Sequence, residues 1–166
     1  MKKLFLLRHA QAAPAGSKSD KERNLTPAGT KDALMLGRRM KQKHYHPDLV
    51  LCSTAQRTKE TLAALEQSIE IVSTLYINTL YEGGKSEMFQ TIRKTDDHVD
   101  GLMIVAHNPS IHAIALMLAR EDSPALGRLE AGYHPGTLSV FSCPCTSWAA
   151  IKPGENILLD VLEPDS

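Results

Sequence analysis

Residues 4–12 read LFLLRHAQA, where an apolar run ends on Arg8 and His9. A run nearly continuous in leucine is typical of a strand covered on both faces, as in parallel sheets. Polar residues at the carboxyl end of such a strand lie where open parallel sheets bind their ligands. The stretch therefore predicts a parallel-sheet fold and places residues 8 and 9 at the opening of a binding pocket.

Four further apolar runs are strand-like and alternate with helix-like stretches. They are 48–53 (DLVLCS), 70–74 (EIVST), 101–107 (GLMIVAH) and 137–143 (TLSVFSC). This alternation indicates βαβ units, so we predict an α/β protein with a mostly parallel sheet. A chain of 166 residues is long enough for one full hydrophobic core and too short for two, which predicts a single domain over 1–166.

Capping patterns mark the starts of three helices. The Thr-Pro pair at 26–27 predicts an N-cap with proline in the first helical position, opening a helix to about residue 44. Ser53 and Gln56 have the spacing of a capping box for a second helix. The Asn-Pro pair at 108–109 opens a third, whose apolar residues recur with helical periodicity.

Charge and cysteine content narrow the classes of function. Nineteen Lys and Arg balance nineteen Asp and Glu, so there is no overall basic field for nucleic acid, and an anion has to be bound by local groups. No apolar stretch approaches the roughly 20 residues that span a bilayer, so we expect no membrane association. The three cysteines, an odd number, favour reduced thiols and a cytoplasmic protein.

Polar residues follow three of the predicted strands at their carboxyl ends. Arg8 and His9 end the first, Arg57 follows the second, and His107 ends the fourth. Two guanidinium groups can bind the oxygens of a phosphoryl group, and helix N-terminal amides add positive charge. A neutral imidazole can attack phosphorus in line, while a second stabilises the charge of the transition state. We therefore predict a phosphate site with His9 as nucleophile and with no metal or cofactor.

Three motifs, in this order, resemble those of the histidine phosphatase superfamily, the phosphoglycerate mutase-like enzymes of branch 1. They are Leu-Leu-Arg8-His9-Ala, Ser53-Thr-Ala-Gln-Arg57-Thr58 and Ile-Val-Ala-His107-Asn108-Pro109. With Arg23-Asn-Leu-Thr26-Pro-Ala-Gly29 between the first two and no inserted domain, the chain is similar to the SixA-type phosphohistidine phosphatases over roughly residues 3–143.

This resemblance implies a three-layer α/β/α sandwich with a mostly parallel central sheet, as in phosphoglycerate mutase. It implies that His9 is the nucleophile and that Arg8, Arg57 and His107 contact the phosphate, with a contribution from Arg23. The substrate it implies is protein phosphohistidine, with a small phosphomonoester as the alternative. The sequence indicates neither the partner protein nor an oligomeric state.

Two positions depart from the family pattern. Ala10 stands where the motif usually has glycine, which raises the question of how closely the backbone can approach a phosphate. Glu82, in Leu-Tyr-Glu-Gly-Gly, is the candidate for the general acid that larger members use, and an ordinary loop carboxylate is the alternative interpretation. Imidazole leaves from phosphohistidine far more readily than an alkoxide leaves from an ester, so a missing acid would favour phosphoramidate substrates.

Other classes of protein fit less well. Four residues separate Cys52 from Arg57 where cysteine phosphatases have five, so we expect Cys52 to be a buried strand residue. No P-loop motif and no H-E-x-x-H occurs. A phosphoresidue-binding module would need two arginines and no nucleophile, so His9 argues against it. Residues 120–136 are interpreted as a loop at the rim of the pocket that selects the substrate.

Overall fold

The computed structural model describes residues 1–164, and its centre is a six-stranded sheet. The strands are β1 (Lys2–Arg8), β2 (Leu49–Ser53), β3 (Ser73–Ile77), β4 (Gly101–Ala106), β5 (Leu138–Cys143) and β6 (Ile157–Leu162). They lie in the order β3-β2-β4-β1-β5-β6. Strands β1 to β4 pair in parallel, and β5 is antiparallel to both of its neighbours. The prediction of a mostly parallel sheet is confirmed.

Helices cover both faces of the sheet. In the described residues they are α1 (Pro27–Gln42), α2 (Gln56–Leu65), α3 (Thr79–Glu82), α4 (Lys85–Arg93), α5 (Ser110–Leu118) and α6 (Leu126–Glu130). Buried side chains of α1 and α2 share one hydrophobic cluster with the sheet, and those of α4, α5 and α6 share another on the opposite face. The predicted three-layer α/β/α sandwich is therefore confirmed. None of these helices is long and apolar enough to cross a membrane.

The apolar run of β1 is continuous because both of its faces are covered. Leu4 and Leu6 belong to the cluster under α4, α5 and α6, whereas Phe5 and Leu7 belong to the cluster under α1 and α2. Successive side chains of a strand point to opposite faces, so a strand between two helical layers needs apolar residues at every position. The run ends where β1 leaves the core, and the next residues enter the site.

Helix α1 begins as the sequence predicts. The side chain of Thr26 accepts a hydrogen bond from the backbone N–H of Gly29 at 2.9 Å, and Pro27 is the first helical residue. Gly29 itself lies against the loop that follows β1, since a Cβ there would overlap the carbonyl oxygen of Gln11. The lack of a side chain at residue 29 therefore allows α1 to pack on the loop that carries the site.

We predict that Gly29→Ala lowers the free energy of unfolding by about 3 kcal/mol, because the added methyl group meets a backbone oxygen that cannot rotate away. Gly127→Ala is the matched control, since a Cβ there has no heavy atom within 4 Å and alanine favours a helix over glycine. Denaturant unfolding of both variants measures the difference. A Gly29→Ala protein as stable as the parent would contradict the packing described.

Three local expectations differ from the structure. The third strand is 73–77, not 70–74, because Val72 is 83% exposed and the pairing with β2 begins at Ser73. The N-cap position of helix α2 is Ala55, without a side-chain cap, and Ser53 belongs to β2. Residues 120–136 are not wholly a loop, because they contain the short helix α6. Strand β6, which extends the sheet beyond β5, was not predicted.

Candidate active site

The carboxyl ends of β1, β2 and β4 bring the predicted site residues together. These three strands are parallel neighbours in the order β2-β4-β1, so the residues that follow them meet at one edge of the sheet. The ring centroids of His9 and His107 lie 5.2 Å apart. The guanidinium groups of Arg8, Arg57 and Arg23 are close enough to His9 to influence its pKa.

A hydrogen bond from one ring nitrogen to the backbone fixes the orientation of the His9 imidazole. Its Nδ1 lies 2.7 Å from the carbonyl oxygen of Ala10. A carbonyl only accepts hydrogen bonds, so Nδ1 carries the proton and the lone pair is on Nε2. The N–H of Ala10 in turn donates to Oγ1 of Thr61 at 3.0 Å, which fixes the residue whose carbonyl holds the ring.

Alanine fits position 10 without strain. Ala10 is fully buried, and among the described non-glycine residues only His44 has a positive φ. The backbone of residue 10 therefore adopts a conformation open to any residue. The replacement of the usual glycine leaves the contact between Ala10 and His9 intact.

His107 has the opposite arrangement of ring nitrogens. Its Nε2 lies 2.7 Å from Oγ of Ser53, and the same Oγ accepts a hydrogen bond from the N–H of Ala55 at 3.2 Å. The hydroxyl of Ser53 therefore orients the ring of His107 through Nε2. The other ring nitrogen, Nδ1, is buried and has no hydrogen-bond partner within residues 1–164.

We predict that Ser53→Ala lowers kcat about 10- to 100-fold, the usual effect of removing a group that orients a functional histidine. Without the hydroxyl, His107 loses the hydrogen-bond partner of Nε2 that orients its ring. Ser53→Thr keeps the hydroxyl and should retain most of the activity. Steady-state kinetics of both variants decide the matter, and equal activity of Ser53→Ala and the parent would refute this role for the serine.

Each of the arginines is held by backbone oxygens. Nη1 of Arg8 donates to the carbonyl of Tyr133 at 2.9 Å, and Nη1 of Arg57 donates to the carbonyl of Asp20 at 2.8 Å. Nε of Arg23 donates to the carbonyl of Ala13 at 2.8 Å. The Nε atoms of Arg8 and Arg57 are buried and have no partner in the described part of the chain. Buried donors without partners are costly, and an anion would satisfy them.

Both histidines are neutral at pH 7. Burial and, to a smaller extent, the positive charge of Arg57 lower the pKa of His9 to about 4. Burial likewise lowers the pKa of His107 to about 3, with His9 and Arg57 adding to the effect. Burial is the larger cause in each case, because an imidazolium loses its hydration inside the protein. The Nε2 lone pair of His9 is therefore available at physiological pH.

These buried neutral imidazoles should make stability depend on pH. An unfolded imidazole takes up a proton near pH 6.5, whereas His9 does so only near its folded pKa of about 4. Between these values the unfolded state binds more protons, so the free energy of unfolding falls as the pH drops from about 6.5 to about 4. Urea unfolding across this range should show the loss, and His9→Asn should make it smaller. An unchanged slope in that variant would show that His9 is not buried as a neutral group.

The cysteines and the possible metal ligands are arranged as follows. Cys52 is fully buried in β2, and burial raises its pKa to about 12, so its thiol is protonated. All three cysteines are free thiols. Within residues 1–164, no three His, Cys, Asp or Glu side chains are grouped as metal ligands would be.

Known proteins share both these motifs and this fold. Residues 4–82 match the family model of the histidine phosphatase superfamily (branch 1). A Nakamurella multipartitia structure, provisionally assigned as the phosphohistidine phosphatase SixA, is 31% identical with a TM-score of 0.86, over 99% of this chain and 97% of that one. The chain belongs to the histidine phosphatase superfamily and is SixA-type.

Other relatives agree with this assignment. An Agrobacterium tumefaciens structure, also provisionally assigned as SixA, is 27% identical with a TM-score of 0.83, and the match covers 98% of each chain. The uncharacterized protein Rv1276c of Mycobacterium tuberculosis is 29% identical over 151 residues, which are 89% of this chain and 93% of that protein. The likeness extends through the whole histidine phosphatase fold and is not limited to the motifs.

Two side chains at the site of this histidine phosphatase were not predicted from the sequence. Asp20 lies in a 3-10 turn (Asp20–Glu22) and pairs with Arg57, and Tyr81 in α3 has its ring centroid 5.8 Å from that of His107. The one signal in the sequence for Asp20 is its position in the polar loop, three residues before Arg23. Glu82 ends α3 as an exposed residue.

The segment 120–136 reaches the site through its backbone. The carbonyl of Tyr133 accepts hydrogen bonds from Arg8 and from the side chain of Asn108 at 3.0 Å. The hydroxyl of Tyr133 donates a hydrogen bond to the backbone oxygen of Leu6 in β1 at 2.5 Å. This segment therefore helps to hold Arg8 in place, in addition to the rim position predicted for it.

Proposed function

We propose that this histidine phosphatase removes the phosphoryl group from a phosphohistidine side chain of a protein, through a covalent intermediate on His9. The observation that carries the proposal is the geometry of the two imidazoles. His9 has its lone pair on Nε2, and His107, with its ring 5.2 Å away, has a buried Nδ1 without a partner, which in our proposal carries the ring proton. A nucleophile and a hydrogen-bond donor of this kind are what in-line phosphoryl transfer requires.

The proposed reaction has two in-line steps. In the first, Nε2 of His9 attacks phosphorus, the P–N bond of the substrate breaks, and the departing ring, which enters as its imidazolium form, keeps the electron pair and leaves as neutral imidazole. In the second, water attacks the phosphoryl group on His9, and the electron pair of that P–N bond returns to Nε2. One proton of the water stays on the released hydrogen phosphate and the other passes to solvent. Throughout, Nδ1 of His9 keeps its proton on the hydrogen bond to Ala10.

The positive charge for this chemistry comes from arginines in our proposal. The charges of Arg8, Arg57 and Arg23 all lower the pKa of His9, so all three act on its imidazole. Guanidinium groups bind the equatorial oxygens of a phosphoryl group and offset its negative charge in the transition state. We therefore propose that Arg8, Arg57, Arg23 and His107 bind the phosphoryl group and that the enzyme works without a metal ion.

The phosphohistidine substrate is proposed because of the leaving group. An imidazole departs from phosphorus without a general acid, whereas an alkoxide needs one. Glu82 is exposed at the end of α3, and the carboxyl group of Asp20, which pairs with Arg57, has its pKa lowered to about 2 by hydrogen bonds from Tyr81 and Arg23. The names of the SixA structures point to the same class of substrate. The free thiols support a cytoplasmic location.

The test compares a synthetic phosphohistidine peptide with p-nitrophenyl phosphate as substrates of the full chain. We expect the peptide to have the higher kcat/KM, and we expect Glu82→Gln to leave peptide hydrolysis within about twofold of the parent. If only p-nitrophenyl phosphate is hydrolysed, the enzyme is a phosphatase of small phosphomonoesters. If Glu82→Gln abolishes turnover of the peptide, the reaction needs a general acid and the leaving-group argument is wrong. Binding of the peptide without turnover would instead indicate a phosphoresidue-binding module.

A further inference from the structure

Asp20 links three separate parts of the chain at the site. Its Oδ2 accepts hydrogen bonds from Nη2 of Arg57 at 3.2 Å and from the hydroxyl of Tyr81 at 2.8 Å. Its Oδ1 accepts one from Nη1 of Arg23 at 3.0 Å. The carboxylate therefore lies among the groups that we assign to phosphoryl binding, although it has the same sign of charge as the substrate.

The carboxyl group of Asp20 is ionised at neutral pH. The hydrogen bonds from Tyr81 and Arg23 lower its pKa to about 2, so it has no proton to give to a leaving group at neutral pH. It can only accept hydrogen bonds or repel negative charge. One lone pair of Oδ1 remains unused by the protein, and the side chain is 54% exposed. Asp20 thus has the capacity to accept a hydrogen bond from a bound molecule.

Asp20 is on the exposed side of the candidate site. His9 is only 8% exposed, whereas the side chain of Asp20 is 54% exposed, so a leaving group displaced by the buried imidazole would move toward solvent. Tyr81 connects this side to the histidines, because its ring lies 5.8 Å from that of His107 and its hydroxyl donates to Asp20. The leaving group would therefore pass close to the fixed negative charge.

We propose that Asp20 determines specificity, favouring leaving groups that depart as imidazole over those that depart as anions. The proposal rests on the phosphohistidine reaction described above. Phosphohistidine in its imidazolium form has an N–H on the second ring nitrogen, which can donate to Oδ1 of Asp20. When the P–N bond breaks, the electron pair goes to the ring and leaves neutral imidazole with that proton in place. A departing phenolate or alkoxide instead gains negative charge beside the carboxylate, which opposes it.

The test is Asp20→Asn, measured on a phosphohistidine peptide and on p-nitrophenyl phosphate. We expect kcat/KM for the peptide to fall about tenfold, as for the loss of a hydrogen bond to a charged group. For p-nitrophenyl phosphate we expect kcat/KM to rise, because the repulsion is removed. Asp20→Glu restores the charge and should restore part of the preference for the peptide. Glu22→Gln, which removes an equal charge from the same turn without touching the arginines, should keep the selectivity of the parent.

A purely structural role for Asp20 predicts a different result. If Asp20 served only to hold Arg57 and Arg23, Asp20→Asn would lower kcat/KM for both substrates in parallel, and that outcome would overturn the inference while leaving the proposed function in place. A parent enzyme that hydrolyses p-nitrophenyl phosphate and fails on the peptide would overturn the proposed function itself. The side chain lies on an exposed turn, and circular dichroism of the variants confirms their folding.

Discussion

His9→Asn should reduce kcat by at least about a thousandfold on any phosphorylated substrate, since the covalent step loses its nucleophile. Asparagine is similar in size to histidine and can still donate to the carbonyl of Ala10, so the fold around the site should be kept. Rapid quenching of the parent enzyme into alkaline denaturant, followed by peptide mapping, should find the phosphoryl group on His9. The variant should carry none.

His98→Asn is the matched control for this experiment. The side chain of His98 is 97% exposed and pairs with Asp96 away from the site, so the variant should have the activity of the parent. If His9→Asn turned over substrate at the parental rate, the assignment of the nucleophile would be wrong. If instead the phosphoryl group were trapped on another residue, the reaction would proceed through a different side chain of the same site.

Arg57→Lys should lower kcat/KM about 100-fold, although the charge is conserved. Arg57 donates through Nη1 and Nη2 to Asp20 and has its Nε unpaired. A lysine ammonium is a single point charge and cannot keep both contacts to Asp20 while reaching a phosphoryl oxygen. The expected loss is that of one donor to the charged transition state.

Arg38→Lys provides the comparison, because Arg38 is exposed on α1. Steady-state kinetics on p-nitrophenyl phosphate should show parental activity for Arg38→Lys and the large loss for Arg57→Lys. Inorganic phosphate should also inhibit Arg57→Lys more weakly than it inhibits the parent. If Arg57→Lys retained activity within a few fold, Arg57 would contribute only its positive charge, and the geometry of its guanidinium group would not matter.

The sequence predicts the central part of the fold better than its edges. Strands β1 and β4 are nearly continuous apolar runs, and such runs identify strands that are buried on both faces. The sequence signal for the edge strand β3 is weaker, since Leu75 and Tyr76 are both more than half exposed. The neighbouring apolar residues Ile71 and Val72 shift the predicted strand to 70–74. Strand β6 follows β5 with only a 3-10 turn (Trp148–Ala150) and no α-helix between them, so the βαβ pattern does not predict it.

The residues of the candidate site also differ in how well the sequence predicts them. Arg8 ends a buried strand, and His9 and His107 directly follow one, so their meeting could be predicted because topology alone brings those strand ends together. The contact of Asp20 with Arg57 joins residues 37 positions apart in the chain, and it depends on how the loop after β1 folds back over α2. Ser53 was identified as a helix cap, whereas its hydroxyl is used by His107. Contacts of this kind arise from packing and leave no periodic signal in the sequence.

The unpaired buried nitrogens of Arg8, Arg57 and His107 imply a trade-off between stability and function. In the free enzyme these nitrogens have lost water and gained no protein partner, so the site is destabilised relative to an apolar core of the same size. In our proposal, a bound phosphoryl group recovers that free energy at the moment of reaction. Substitutions that supplied internal acceptors for these nitrogens would make a more robust protein and a poorer catalyst.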